Sequence, residues 1–239
     1  MCELFAASSS IVVNPLMELD SSKRFADKSP DGWGIGYFGE EGNPQVQKKG
    51  EPASKSKEYL IAAETARSRQ VIAHLRDASD KSTVSAVNAQ PFTLNFLERP
   101  WLFAHNGTMS VDYRTVGAKV NATIDSARLL EFLGDQISSW YIENSLRSLF
   151  GSVKRAIESS YLEFRGTANF VLTDGEFCFV NKDGMHHNQI FVKRSRESIL
   201  FCTKELDEGW SGMWKSSGFR GRLILAAKGR LLCSQRIAV

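Results

Sequence analysis

The second residue of this chain is a cysteine, inside the N-terminal run MCELFA. Methionine before a small second residue is normally removed during synthesis, which would leave Cys2 first, carrying a thiol and a free α-amine together. Such a pair can do nucleophilic chemistry without a histidine. An α-amine titrates at ~7.7–8.0, so near neutral pH it can take the thiol proton, directly or through one water, and the thiolate can attack a carbonyl to form an acyl-enzyme. A cysteine at position 2 is also compatible with an ordinary buried or acylated residue. Further polar residues cluster in three short words: Arg76 in VIAHLRDAS at 71–79, Gln90 in NAQPF at 88–92, and Asn106 with Gly107 in FAHNG at 103–107. Read singly, Arg76 fits a strand arginine in an ion pair, Asn106–Gly107 fits a turn, and Asp125 fits a cap for the helix that follows it.

Taken in order, together with MCELF and SPDGWGIGYF at 29–38, these words resemble the class II glutamine amidotransferases, whose glutaminase domain belongs to the N-terminal nucleophile hydrolases. The resemblance runs from Cys2 to about Leu133, with a fainter echo in FCTKELDEGW at 201–210, and looks most like the small standalone YafJ-like members. It implies that Cys2 is the nucleophile and its α-amine the base. Arg76 aligns with the arginine that grips the substrate α-carboxylate, a task suited to the guanidinium fork. Asn106, through its side-chain amide, and Gly107, through its backbone N–H, align with the oxyanion hole. Asp125, in TIDSARLL at 123–130, aligns with the aspartate that binds the substrate α-amino group.

The fold implied is α+β, a four-layer αββα N-terminal nucleophile hydrolase sandwich, as a single glutamine amidotransferase type-2 domain over 1–239. The activity implied is cleavage of a γ-glutamyl amide, glutamine being the simplest, through a γ-glutamyl thioester, with no metal or organic cofactor needed. Larger relatives carry a second domain that uses the ammonia, whereas here the glutaminase-like region takes up nearly the whole chain. Two enzyme readings follow: a separate ammonia-accepting protein docks, or the chain is a free-standing hydrolase of a γ-glutamyl metabolite or peptide. A non-catalytic glutamine-binding regulatory module is the rival from another class. Its support lies in the changes around Asp77, Asp80 and Gln90, with DASD after Arg76 and glutamine where many members have histidine; FCTKEL in place of an SEPL-like form is a further departure from the family pattern. Because the amine makes a histidine base unnecessary, His74 and His105 read as hydrogen-bonded supports. His186 and His187 read as part of an exposed hairpin loop rather than a metal site.

These residues need elements to hold them. CELFAAS at 2–8 reads as a first strand, and GWGIGYFG at 32–39 as a second whose alternating glycines imply close backbone approach. A helix is expected over 56–68, then strands at 70–78 and in RPWLFAHNG. From Asp125 the apolar period turns helical: Leu129, Leu130, Leu133 and Ile137 share one face, and Ile142, Leu146, Leu149, Phe150, Val153 and Ile157 continue as a second helix. Strands return in TANFVLT and EFCFVNK about Asp174–Gly175, a pair suited to a type I′ turn. SILFCT at 198–203 and a closing pair about Lys228–Gly229 complete an expected meander.

Bulk properties narrow the remaining classes. The chain has 239 residues and a net charge of +3, with basic residues interleaved among acidic ones, which argues against nucleic acid. FVKRSRES at 191–198, the most basic patch, reads as a solvated strand end. No apolar run approaches the ~20 residues that span a bilayer, and the N-terminus lacks the basic start of a signal peptide. A soluble, cytoplasmic protein without a membrane partner is expected. Cys2, Cys178, Cys202 and Cys233 are far apart and form no CxxC pair, so neither a zinc site nor a disulfide framework is indicated. The last three sit in apolar runs and read as inert core residues.

Overall fold

The computed structural model describes residues 2–113, 119–187, 189–212 and 219–238. Two antiparallel sheets stack face to face. In the first, seven strands run in the order β11 (Ser211–Gly212), β9 (Phe191–Arg194), β10 (Ser198–Cys202), β1 (Glu3–Val13), β4 (Ser68–Leu75), β2 (Trp33–Phe38), β3 (Pro44–Lys49). In the second, six run β13 (Arg230–Ile237), β12 (Gly221–Ala227), β8 (Phe177–Asp183), β7 (Gly166–Thr173), β6 (Arg99–Met109), β5 (Phe92–Phe96). Helices α1 (Leu16–Ser22) and α2 (Lys57–Thr65) cover the first sheet, and α3 (Asp125–Trp140) and α4 (Leu146–Glu163) the second.

Strand alternation explains the layering, because successive side chains point to opposite faces. On β1, Phe5 and Ala7 pack under α1 and α2, while Leu4 and Ala6 enter the space between the sheets. On β6, Trp101 and Phe103 face α3 and α4, while Leu102 and Ala104 face inward. Three apolar layers therefore alternate with two sheets, giving the expected αββα sandwich.

The helical period holds for α3, where Leu129, Leu130, Leu133 and Ile137 are all buried, and for Leu149, Phe150, Val153 and Ile157 of α4. Ile142 departs from it: it lies in the exposed link between the helices. Helix α4 starts instead at Ser145, whose Oγ accepts the Ser148 N–H at 3.1 Å.

Other local expectations need correction. At Asp174–Gly175 only Gly175 has positive φ, and Asp174 Oδ1 accepts from Glu176 and Phe177 N–H, so this link is not type I′. Lys228 (φ 48°) and Gly229 (φ 72°) join Ala227 to Arg230 and supply the two positive φ values that a type I′ turn requires. The last strands do not form one meander either. Strand β10 pairs with β1 in the first sheet, Phe5 opposite Cys202, whereas β12 and β13 complete the second. Strands β3 and β5 and helix α1 are additions to the elements expected from the sequence.

The glycines of β2 do what their alternation implied. A Cβ on Gly34 would stand 2.1 Å from the Gln90 carbonyl oxygen, and one on Gly36 would stand 2.6 Å from Pro91 Cγ. Bare backbone there lets the 88–92 word lie directly against the first sheet. Lys48 on β3 holds the same segment by donating to the Ala89 carbonyl at 2.8 Å and to that of Val87 at 3.2 Å.

Candidate active site

Strand pairing brings the sequence words to one end of the sandwich. Glu3 on β1 lies opposite Leu75 on β4, so Cys2 and Arg76 adjoin where β1 starts and β4 stops. From the second sheet, Asn106 on β6 reaches across, and its Nδ2 donates to the Cys2 carbonyl oxygen at 2.6 Å. Asp125 begins α3, and its Oδ2 accepts the N–H of Met109, the last residue of β6, at 2.9 Å. Cys2, Arg76, Gly107 and Asp125 line one cleft of about 240 Å³. Asn106 stands behind Cys2 and outside the cleft lining.

Cys2 Sγ accepts the Asp77 N–H at 3.3 Å and faces the Asp77 carbonyl at 3.4 Å. Burial pushes the thiol up to about 11, against the opposing pull of the Asp77 backbone bond. At neutral pH the thiol is therefore protonated, and attack on a carbonyl needs a base. Neither nearby histidine suits that task. Burial drives His74 down to about 3, with the His105 and Arg76 charges adding to the effect. Neither of its ring nitrogens reaches full hydrogen-bond geometry among the described residues, and the interaction that opposes the fall is a weak one with the His105 backbone.

His105 is a hydrogen-bonded support. Its Nδ1 meets Ser126 Oγ at 2.9 Å and its Nε2 meets the Thr167 carbonyl at 3.3 Å. Burial lowers its pKa, opposed by Asp125. His186, expected on an exposed loop, is buried, and its desolvated ring is held near 4, whereas His187 is exposed. Met1, whose removal would free the Cys2 amine, lies outside the described residues.

The two charge-bearing residues are tied down and still have capacity to bind. Arg76 is buried and donates to the Thr83 carbonyl at 3.1 Å and to Thr83 Oγ1 at 2.6 Å, which leaves further guanidinium N–H groups. Asp125 Oδ1 accepts the Ser126 N–H at 2.8 Å, so the carboxylate sits at the positive end of α3 without being its N-cap, which is Ile124. Oδ1 also accepts from Ser126 Oγ at 3.4 Å, which leaves a free lone pair on Oδ2.

Several residues that hold the cleft carried no weight in the sequence reading. Asp31 Oδ2 accepts the Ala78 N–H at 2.7 Å and also binds Lys81 Nζ, fixing the loop after Arg76. Asn88 donates to the Thr83 carbonyl at 3.0 Å and accepts the Thr123 N–H at 3.0 Å, spanning the cleft from the Arg76 side to the Asp125 side. Asp31 and Asn88 stand inside the quoted words SPDGWG and NAQPF, and their polar character before a glycine or a proline-bound turn was the only local signal of them. Glu131, buried on α3, accepts the N–H groups of Lys119 and Val120, each at 2.8 Å, and so holds the segment leading to Thr123.

A family model described as glutamine amidotransferases class-II matches residues 1–200. The chain belongs to the class II glutamine amidotransferase family. Among its relatives, an uncharacterized protein of Methanocaldococcus jannaschii is 31% identical over 201 residues, covering 81% of this chain and 54% of that protein. The putative glutamine amidotransferase YafJ of Escherichia coli is 25% identical, covering 74% of this chain and 71% of its own length. The γ-glutamyl-hercynylcysteine sulfoxide hydrolase of Mycolicibacterium smegmatis is 29% identical over 97 residues, 41% of each chain. The chain thus spans about half the length of the M. jannaschii relative. In architecture it resembles the allosteric regulatory enzyme of purine biosynthesis, with a TM-score of 0.72 and 13% identity over 100% of this chain and 49% of that one. That likeness is one of fold, two antiparallel sheets stacked between helical layers. No helix among the described residues is long and apolar enough to cross a membrane.

Proposed function

We propose that this amidotransferase, acting as a single type-2 domain over 1–239, hydrolyses a γ-glutamyl amide through a γ-glutamyl thioester on Cys2. The observation that carries the reading is the meeting of Cys2, Arg76, Gly107 and Asp125 on one cleft, with the Asn106 carboxamide 2.6 Å from the Cys2 carbonyl oxygen. With Met1 removed, the Cys2 amine takes the thiol proton, and Sγ bonds to the substrate amide carbon. Asn106, through the N–H not spent on Cys2, and Gly107, through its backbone N–H, stabilise the oxyanion. The Cys2 ammonium then protonates the departing nitrogen, the C–N bond breaks, and ammonia or a larger amine leaves. Water attacks the thioester, releases the γ-carboxylate and restores the thiol. Arg76 pairs with the substrate α-carboxylate and Asp125 with its α-ammonium group.

Glutamine is the simplest substrate, with the ammonia passed to a separate accepting protein. A γ-glutamyl metabolite is the second reading, favoured by the similarity to a γ-glutamyl-hercynylcysteine sulfoxide hydrolase. The cytoplasm suits either chemistry, because a nucleophilic thiol has to stay reduced.

The test is the intact mass of the purified protein before and after incubation with 6-diazo-5-oxo-norleucine. The expected result is a chain without Met1 that gains one adduct, lost in Cys2→Ala and blocked by excess glutamine. Faster turnover of bulkier γ-glutamyl amides than of glutamine would identify the metabolite hydrolase. A chain that keeps Met1, or one that binds glutamine without labelling or consuming it, would overturn the catalytic reading in favour of a glutamine-binding regulatory module.

A further inference from the structure

Gln90, in the NAQPF word, lines the cleft beside His105 and Ser126. It is buried, and its carboxamide treats His105 as a neighbouring strand would. Oε1 accepts the His105 N–H at 2.6 Å, and Nε2 donates to the His105 carbonyl at 3.3 Å. The same Nε2 donates to Ser126 Oγ at 3.2 Å. Ser126 in turn meets His105 Nδ1, and its own N–H binds Asp125 Oδ1.

Two residues beyond His105 on β6 stands Gly107, where a Cβ would come within 2.8 Å of His105 Nε2. The imidazole thus lies directly behind the glycine whose N–H is the proposed oxyanion donor. Thr167 O accepts from Nε2, so the neutral ring carries its proton there and presents Nδ1 as acceptor to Ser126. One side chain therefore reaches the strand bearing the oxyanion donors and the helix end bearing the ammonium reader. Its own backbone is pressed against Gly34 and cannot drift toward the first sheet.

We infer that Gln90 is a positioning residue that locks β6 and the start of α3 into one register, setting the Gly107 N–H relative to the Asp125 carboxylate. The inference rests on reading the cleft as a γ-glutamyl amidase. A glutamine performs this task because it offers an acceptor and a donor on one short plane, matched to the N–H and C=O of a single residue. Imidazole places its two nitrogens differently and cannot clamp one residue's backbone in this way.

The test uses the full chain and glutamine, or whichever γ-glutamyl amide the wild type turns over fastest. Gln90→Met keeps the length and removes all three bonds without adding charge. Its kcat should fall at least about tenfold, since misplacement of reacting groups by about 1 Å can cost ~10²-fold. Its KM should change less than about threefold, and alkylation of Cys2 by iodoacetamide should proceed at the wild-type rate, because Gln90 does not touch the nucleophile. Ser126→Ala breaks the same link from the helix side and should lower kcat in the same direction. The double variant should lose less than the product of the two single losses.

A folded Gln90→Met with wild-type kcat overturns the inference, as does full additivity of the two changes. Should Gln90→Met fail to fold, an unchanged kcat in Ser126→Ala overturns it equally. A wild-type chain inactive on every γ-glutamyl amide overturns the functional reading first, a failure seen before any variant is made.

Discussion

The two walls of the cleft are held by different means. The wall of Gly107 and Asp125, with Asn106 behind it on the same strand, is tied by buried groups: Gln90, His105 and Ser126 are nearly inaccessible and bond to one another. The wall of Arg76 and the loop after it depends on groups at the surface. Lys81, 63% exposed, bridges Asp31 and Asp77, and Asp80 turns the loop through Ser82. Buried polar networks are costly to break, whereas exposed ion pairs contribute little. On the proposed mechanism, the difference implies that the side assigned to the reacting carbonyl is fixed before substrate arrives, and that the side assigned to the α-carboxylate can adjust to it.

The largest effect should come from the buried wall. Asn106→Ala removes the side-chain donor proposed for the oxyanion hole and should lower kcat by ~10²–10³-fold, about 2.7–4 kcal/mol, in steady-state kinetics. A loss under tenfold would place the oxyanion elsewhere. Asp125→Asn keeps the acceptor for the Met109 N–H and removes the charge. It should act mainly on KM, raising it by roughly 10- to 150-fold if a charged hydrogen bond of about 1.5–3 kcal/mol is lost. Glutaric acid monoamide, which lacks the α-amino group, should be insensitive to this substitution.

A third effect is seen in stability. Unfolded histidine gains a proton below about pH 6.5, whereas buried His74 refuses one until about 3. Between these values the unfolded chain binds more protons, so stability present above pH 6.5 is lost as pH falls. His74→Leu should flatten the fall in Tm between pH 7 and pH 5, and an unchanged slope would mean that other groups govern it. The smallest effect belongs to the exposed wall. Lys81→Ala should raise KM by at most about fivefold and leave kcat unaltered, and a larger change in kcat would erase the contrast between the walls.

How much of this could be read from the sequence depended on range. That Cys2, Arg76, Gly107 and Asp125 would meet on one cleft, with Asn106 bonded to Cys2 beside it, was legible because these residues sit in short words that the fold brings together. Helices layered on antiparallel sheets were legible too, from strands flanking a helical middle, and the family resemblance supplied the four-layer αββα order. Partners far apart in sequence were not. Ser126 looks like any first-turn serine until His105 and Gln90 are seen against it, and Asn88 gains meaning only when Thr83 and Thr123 converge on it. Strand β10 carries no local mark of which sheet it joins, and the choice between Asp174–Gly175 and Lys228–Gly229 as the tight turn was decided by side-chain bonds to Asp174 rather than by composition.

The bare backbone at Gly34 also constrains how the family can vary. A methyl group at this position would drive into the Gln90 carbonyl, displacing a residue that touches neither the thiol nor the cleft's charged pair. Positions 34 and 90, 56 apart in sequence, should therefore change together or not at all among related chains. A lineage that acquired alanine at 34 would need a rebuilt turn at 90 before its oxyanion strand could realign. A position that restricts this chemistry is thus one that contributes no functional group to it.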